Sequence, residues 1–169
     1  MGRACSVDRR QRFEAEALPH TRSLYGSALR MTRNPDDAQD LVQETLLRAF
    51  RGFDRFTAGT NIRAWLHTIL QRARADVFRR GQRTVPTTEL TGDGPAVPPP
   101  QDALAQGGEE IERALAAVPE PFRTAIVLRD IEDLTYQEIA DALDVPIGTV
   151  MSRIHRGRAL LREQLEPTR

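Results

Sequence analysis

The chain has 169 residues, 40% hydrophobic and 28% charged, which suits one ordinary domain or two small ones and is too apolar for wholesale disorder. Its formal net charge is zero, yet every cation is an arginine: residues 1–83 carry 16 against 9 acids, and residues 84–169 carry 8 against 15, as a basic module paired with an acidic one would. The single cysteine, Cys5, excludes an internal disulfide framework or multi-cysteine zinc site, and no apolar run reaches the roughly 18 residues of a membrane helix.

Residues 1–12 are polar and read as an N-terminal tail, and without an apolar stretch of the signal-peptide kind a reducing, cytoplasmic location is expected. A helix signal covers about residues 13–32. A second helix starts at Asn34-Pro35-Asp36-Asp37, where a capping side chain, a first-turn proline and two acids mark the positive helix end. Its stripe of Ala38, Leu41, Val42, Leu46, Ala49, Phe50 and Phe53 steps by three and four residues. Opposite lie Asp40, Glu44, Leu47 and Arg51, with Gln43 beside them: an acidic face with an apolar anchor, suited to docking on a basic protein surface.

After a loop from Gly52 to Thr60, Asn61 caps a third helix that buries Ile62, Trp65, Leu66, Ile69 and Ala73 and ends in the basic turn Arg79-Arg80 before Gly81. That helix is predicted to turn Arg63, His67, Gln71, Arg74 and Phe78 outward, and the loop before it carries Phe53, Arg55, Phe56 and Asn61. Aromatic and cationic groups interleaved in this way suit unpaired bases, which stack on rings while arginines hold phosphates. Phe53, Phe56 and Trp65 fit a hydrophobic core equally well, and for Trp65, on the buried stripe, the core is the preferred reading.

Residues 84–108 lack apolar periodicity and hold Pro86, Pro95, Pro98, Pro99 and Pro100 with four glycines, so they read as a flexible linker between domains 13–83 and 109–169. Extended at about 3.3 Å per residue it reaches about 80 Å, enough for two DNA sites roughly 70 Å apart.

Four helices are predicted beyond the linker, at about residues 109–117, 120–131, 135–143 and 147–165, which makes the chain all-α with two small helical domains. In the third of these, Tyr136, Ile139, Ala140 and Leu143 form the apolar stripe and Thr135 with Glu138 forms a capping box. Asp144-Val145-Pro146 breaks it, and Ile147, Val150, Ile154, Gly157 and Leu161 begin a second stripe. Opposite that stripe stand Thr149, Ser152, Arg156 and Ala159, flanked by Arg153 and His155, with Arg158 nearer the core and able to pair with an acid. Small residues that allow close approach, beside arginines that read guanine edges, are what a helix in a major groove needs. His20, His67 and Cys5 are isolated in sequence and form no metal or nucleophile motif, so neither a cofactor nor catalysis is expected.

Two separated segments carry a resemblance: Asp-Ala-Gln-Asp-Leu-Val-Gln-Glu-Thr-Leu-Leu-Arg-Ala-Phe at 37–50 with Arg-Ala-Trp-Leu at 63–66, and Ile-Gly-Thr-Val-Met-Ser-Arg-Ile-His-Arg-Gly-Arg at 147–158. The chain closely resembles bacterial RNA polymerase sigma factors of the extracytoplasmic-function group, over nearly everything except the tail and the linker. The resemblance implies that Asp40, Gln43, Glu44 and Leu47 meet the clamp helices of the polymerase largest subunit. It implies that the first domain captures the melted downstream promoter element, for which Phe56, Asn61, Arg63, Arg74 and Phe78 are the candidates. It also implies that the second domain reads the upstream duplex element through Thr149, Ser152, Arg153, His155 and Arg156. An anti-sigma protein is an expected further partner. The sequence departs from the family where Met151 replaces a frequent basic residue, Gly157 a frequent alanine and Arg72 a frequent asparagine. The competing reading is a stand-alone helix-turn-helix regulator whose N-terminal domain does not bind polymerase.

Overall fold

The computed structural model describes residues 2–82 and 108–166, with side chains from residue 8 to residue 80 and from residue 108 onward. The predicted linker, 84–108, lies outside the described residues except for Gly108. All described regular structure is helical: α1 Gly2–Ala17, α2 Thr21–Thr32, α3 Pro35–Gly52 and α4 Ile62–Gln82 in the first half, then α5 Gly108–Ala117, α6 Glu120–Ile126, α7 Tyr136–Leu143 and α8 Ile147–Leu165. Among the described residues no helix is long and apolar enough to cross a membrane.

The expected N-terminal tail is instead helical. Residues 2–17 form α1, and a 3-10 turn at Leu18–His20 separates it from α2, so the single helix read over 13–32 is two. Pro19 explains the break, because it has no N–H to donate and crowds the preceding turn. What holds α1 is long-range: the Phe13 ring, 3% exposed, meets Phe50 and Phe53 edge-on at 5.2 and 5.3 Å between centroids. Arg9 donates to the carbonyls of Phe50 and Arg51 while its guanidinium lies over the Phe50 ring.

Local signals fix the other ends. The Asn34 side chain accepts from the N–H groups of Asp36 and Asp37 at 2.9 and 3.1 Å, starting α3 where the sequence indicates. Asn61 Oδ1 accepts from Ala64 N at the head of α4. Thr135 and Glu138 make both bonds of the capping box, at 3.2 and 2.8 Å, and Asp144 ends α7 in the left-handed region at φ 54°. The last turn after α6, Val127–Ile131, widens to a π turn, which swings Glu132 toward the first half of the chain.

The two halves share one buried cluster. Leu41, Leu46, Leu66 and Leu70 from the first half belong to it together with Leu128, Leu134, Ile139 and Ile154 from the second. The main junction is α4 against α7, with α2 also touching α5 and α6.

Candidate nucleic-acid and polymerase interfaces

Helix α8 is set by its buried edge. Val150, Ile154 and Gly157 face inward, while Ser152, His155 and Arg156 are exposed and Thr149 and Arg153 half-buried, which follows the face expected from helical geometry. Gly157 is where α6 comes closest: a Cβ there would stand 2.7 Å from Ile126 Cδ1 and 3.1 Å from the Phe122 carbonyl oxygen. The absent side chain thus sets the distance between the two helices, and with it the orientation of the outward face. Arg156 places its guanidinium 5.5 Å from the Phe122 ring centroid, at the surface and beside the small residues. Arg158 is occupied, because its Nε and Nη2 bind both oxygens of Asp130, the former at 3.0 Å, and this pairing holds its charge more firmly than usual. The structure therefore separates two neighbouring arginines: Arg156 faces outward and Arg158 braces α8.

On α3, Asp40 and Gln43 are exposed and Leu47 is half-buried among them. Glu44 is different from its neighbours. Arg48 Nε binds its carboxylate at 2.6 Å and Arg48 Nη1 binds Asp76 of α4 at 2.6 Å, so Glu44 begins a chain of ion pairs joining α3 to α4. Asp76 is held below its ordinary carboxylate range by hydrogen bonds from Arg48 and then Arg79. Burial works against the Arg48 charge, but the bonds to Asp76 and Glu44 outweigh it and raise its pKa.

The α4 face departs from its sequence reading. His67 is fully buried and Gln71 is 7% exposed, although both were expected to point outward. The inward face of α4 is rotated from the expected one: Ala64, Leu66, Leu70 and Ala73 are buried together with His67 and Gln71, whereas Ile62, Trp65 and Ile69 are only half-buried; His67 lies against Glu132, and Gln71 Nε2 donates to Met31 Sδ of α2 at 3.2 Å. Asn61 Nδ2 donates to Glu138 at 2.9 Å, Arg63 Nη1 donates to the Glu132 carbonyl at 3.0 Å, and Arg74 pairs with Glu120. Phe56 is also corrected: it is buried, stacked on Phe53 and packed 5.2 Å from Trp65, so its ring faces the core in this conformation. Phe78, 67% exposed, points outward as expected, beside exposed Val77.

At the centre of this junction Glu132, 3% exposed, reaches into the first half. Ser27 donates to its Oε1 at 2.7 Å, Ser23 donates to its Oε2, and His67 Nε2 stands 3.2 Å from Oε2 without the alignment of a good hydrogen bond. Burial alone raises a carboxyl pKa; contacts with His67, Ser23 and Ser27 overcome that and hold Glu132 below its ordinary value. Nearby, Arg30 of α2, itself 8% exposed, binds Glu112 of α5 through three hydrogen bonds of 2.7 to 3.2 Å. Neither Glu132 nor Glu112 stands out in the sequence as a functional residue. The only signal for them is the excess of acid in the second half.

Two family models match the chain: sigma-70 region 2 over residues 18–84 and sigma-70 region 4 over residues 108–161. The ECF RNA polymerase sigma factor SigW of Bacillus subtilis is 32% identical over 157 residues, which cover 84% of this chain and 82% of that protein. This chain belongs to the extracytoplasmic-function sigma factors. The SigE sigma factor of Mycolicibacterium smegmatis is 40% identical over 152 residues, covering 86% of this chain but 58% of SigE, so this sigma factor matches little more than half of that relative's length. Among solved structures, the sigma factor RpoE of Bartonella quintana, in complex with the anti-sigma factor NepR, superposes with a TM-score of 0.72 at 28% identity over 94% of this chain and 99% of its own. CnrH, in complex with the cytosolic domain of CnrY, gives 0.63 at 25% identity, over 92% and 88%.

Region 2 of this sigma factor thus holds α2, α3 and α4, and region 4 holds the helix-turn-helix of α7 and α8. Helix α1 lies ahead of the matched region 2, and its docking through Phe13 and Arg9 extends that bundle by one helix.

Proposed function

We propose that this sigma factor binds core RNA polymerase and confers promoter selectivity on it, with no covalent chemistry of its own. The observation that carries the reading is the outward face of α8, where Ser152, His155 and Arg156 stand exposed on a helix locked from behind by Gly157 and Arg158. In a major groove that helix brings hydrogen-bonding groups to base edges of the upstream promoter element, with Thr149 and Arg153 at its margins. On region 2, Asp40, Gln43 and Leu47 form the surface for the basic clamp helices of polymerase, and Glu44 contributes while also bracing α4. Asn61, Arg63, Arg74 and Phe78 are the groups assigned to the unpaired downstream element; Phe56 supports them from the core. By analogy with RpoE, whose solved structure contains the anti-sigma factor NepR, an anti-sigma protein is proposed to hold the factor inactive in the cytoplasm.

The test is transcription in vitro by purified core polymerase on a randomised promoter library. Enrichment of one upstream sequence motif with a defined start site is expected, and loss of that enrichment with Asp40→Ala/Gln43→Ala. Core polymerase that gains no start-site selectivity from this polypeptide would end the reading.

A further inference from the structure

Two large apolar side chains stand exposed on the first two turns of α8, Ile147 at 41% and Met151 at 48%. His155 follows one turn after Met151, so the three form a strip along the helix, each displaced about 40° from the last. The strip borders the outward face, because Ser152 follows Met151 directly and is exposed like His155. Gly148 lies in the same sector, and a Cβ built on it would have nothing within 4 Å, so the space beside Met151 is open. The fold itself requires neither apolar residue there: Val150 and Ile154 fill the inner stripe and are fully buried.

We propose that Met151 is a specificity-determining residue for the upstream element and that it reads the C5-methyl group of one thymine, with Ile147 shielding the contact from water at the helix start. This rests on the reading that α8 enters the major groove of the upstream duplex.

A thioether at that place has few useful partners. It has no proton to donate and accepts only weakly, so it cannot hold a phosphate. Against guanine, adenine or cytosine it would strip water from donors and acceptors without replacing their hydrogen bonds. Thymine is the one base whose major-groove edge carries an apolar group. Methionine is unbranched, and its tip can adapt to a methyl whose position the duplex fixes. The neighbouring side chains divide the work: Ser152 and Arg156 offer hydrogen bonds on the outward face, the guanidinium of Arg156 lying over the Phe122 ring, while Met151, about 100° round the helix from Ser152, meets the adjoining base pair. Ile147 is less suited to reading, because it also lines a shallow hollow with Asp141 and Asp144, whose carboxylates repel a phosphate backbone; Met151 does not line it.

The experiment uses holoenzyme, core polymerase with the full chain, to select bound duplexes from three randomised promoter libraries. One is ordinary DNA, one carries deoxyuridine in place of thymidine, and one carries 5-methyldeoxycytidine in place of deoxycytidine. The first should give an upstream motif with thymine at one position. In the second, that preference should fall about fourfold, as expected for one methyl-sized group no longer taken out of water. In the third, 5-methylcytosine should gain over cytosine at the same position by a similar factor. Met151→Gln, close in size but polar, should abolish the difference between the first two libraries, and Met151→Leu should keep it; both sites being exposed, the melt should not change. A motif without thymine, a thymine preference that survives deoxyuridine, or one that survives Met151→Gln would each overturn the proposal. Unchanged base selection with weaker assembly on core polymerase would overturn it too, and make the strip a protein contact. A motif without methyl dependence removes only the role of Met151, whereas no motif at all brings down the reading of α8 and this inference with it.

Discussion

Gly157→Ala is the most direct test of how region 4 positions its recognition helix. In an open helix the change would stabilise the chain by about 1 kcal/mol through propensity. Here the new methyl would meet Ile126 Cδ1 at 2.7 Å and the Phe122 carbonyl oxygen at 3.1 Å. Ile126 is 2% exposed and packed with Leu115 and Val118, so its terminal methyl has little room to swing away, and the carbonyl belongs to helix α6 and moves only with it. Overpacking of this kind costs about 1–3 kcal/mol. The difference is a net loss of about 1 kcal/mol, or a fall of roughly 3 °C in melting temperature for a chain of this size. Thermal melts followed by circular dichroism measure it, and a double-mutant cycle locates it. Ile126→Ala removes both side-chain atoms in the way, Cδ1 at 2.7 Å and Cγ1 at 2.9 Å, so the pair should couple favourably by about 1 kcal/mol. Stabilisation by Gly157→Ala, or simple additivity with Ile126→Ala, would refute the close-approach account of α8.

Arg156→Ala should weaken binding to the preferred upstream duplex by about 1–3 kcal/mol and relax selectivity at one base position; an equal loss on every sequence in a competition assay would make it a phosphate contact instead. Asp40→Ala/Gln43→Ala should weaken assembly with core polymerase in a pull-down without changing the melt, whereas Glu44→Ala should lower both, since it also holds Arg48. Phe13→Ala should destabilise the chain by about 3–5 kcal/mol, as for any buried ring, and a melt unchanged by it would show that α1 does not belong to the region 2 bundle. On acidification the melting temperature should fall in two stages. His20 is held below its ordinary value of 6.5, by burial first and then by Arg63, so its contribution is complete above that pH and fades as pH drops toward the depressed value. Glu132 is likewise held below 4.5, and its contribution is lost as pH falls from there through its lower packed value. Melts at pH 7, 6, 5, 4 and 3 check this: a rise in stability from pH 7 to 5 would contradict the sign for His20, and a rise from pH 5 to 3 the sign for Glu132.

Much of this architecture is legible in the sequence because it is written locally. Asn34-Pro35-Asp36, Thr135 with Glu138 and the break at Asp144 specify helix ends through side chains within three residues of the backbone they serve. The apolar stripe of α8 fixes its outward face by angle alone. Helix α1 is a different case. Its sequence is arginine-rich without a clear stripe, and its hold comes from Phe13 and Arg9 on groups some forty positions away, Arg9 to Phe50 spanning 41. Only the tertiary structure can supply that information. Phe56 shows a third situation: a ring beside arginines in a loop has the same sequence signature whether it stacks on a base or on Phe53, and the neighbours decide.

The α4 face shows why the outward direction of a helix is not the same as exposure. Arg63 and Arg74 are polar because something polar must satisfy them, and helical geometry cannot say whether that partner is water, a phosphate, or a carbonyl or carboxylate of the same chain. An apolar cover would have left a hydrophobic stripe on α4, legible at once. A cover made of Glu120, Glu132 and Glu138 leaves instead a face that looks like a nucleic-acid site, because the partner imitates one. The trace it leaves in the sequence is compositional: 15 acids against 8 arginines in the second half, opposite the reverse excess in the first. In this structure the halves meet, and acids of the second face arginines of the first at Arg30 with Glu112 and Arg74 with Glu120.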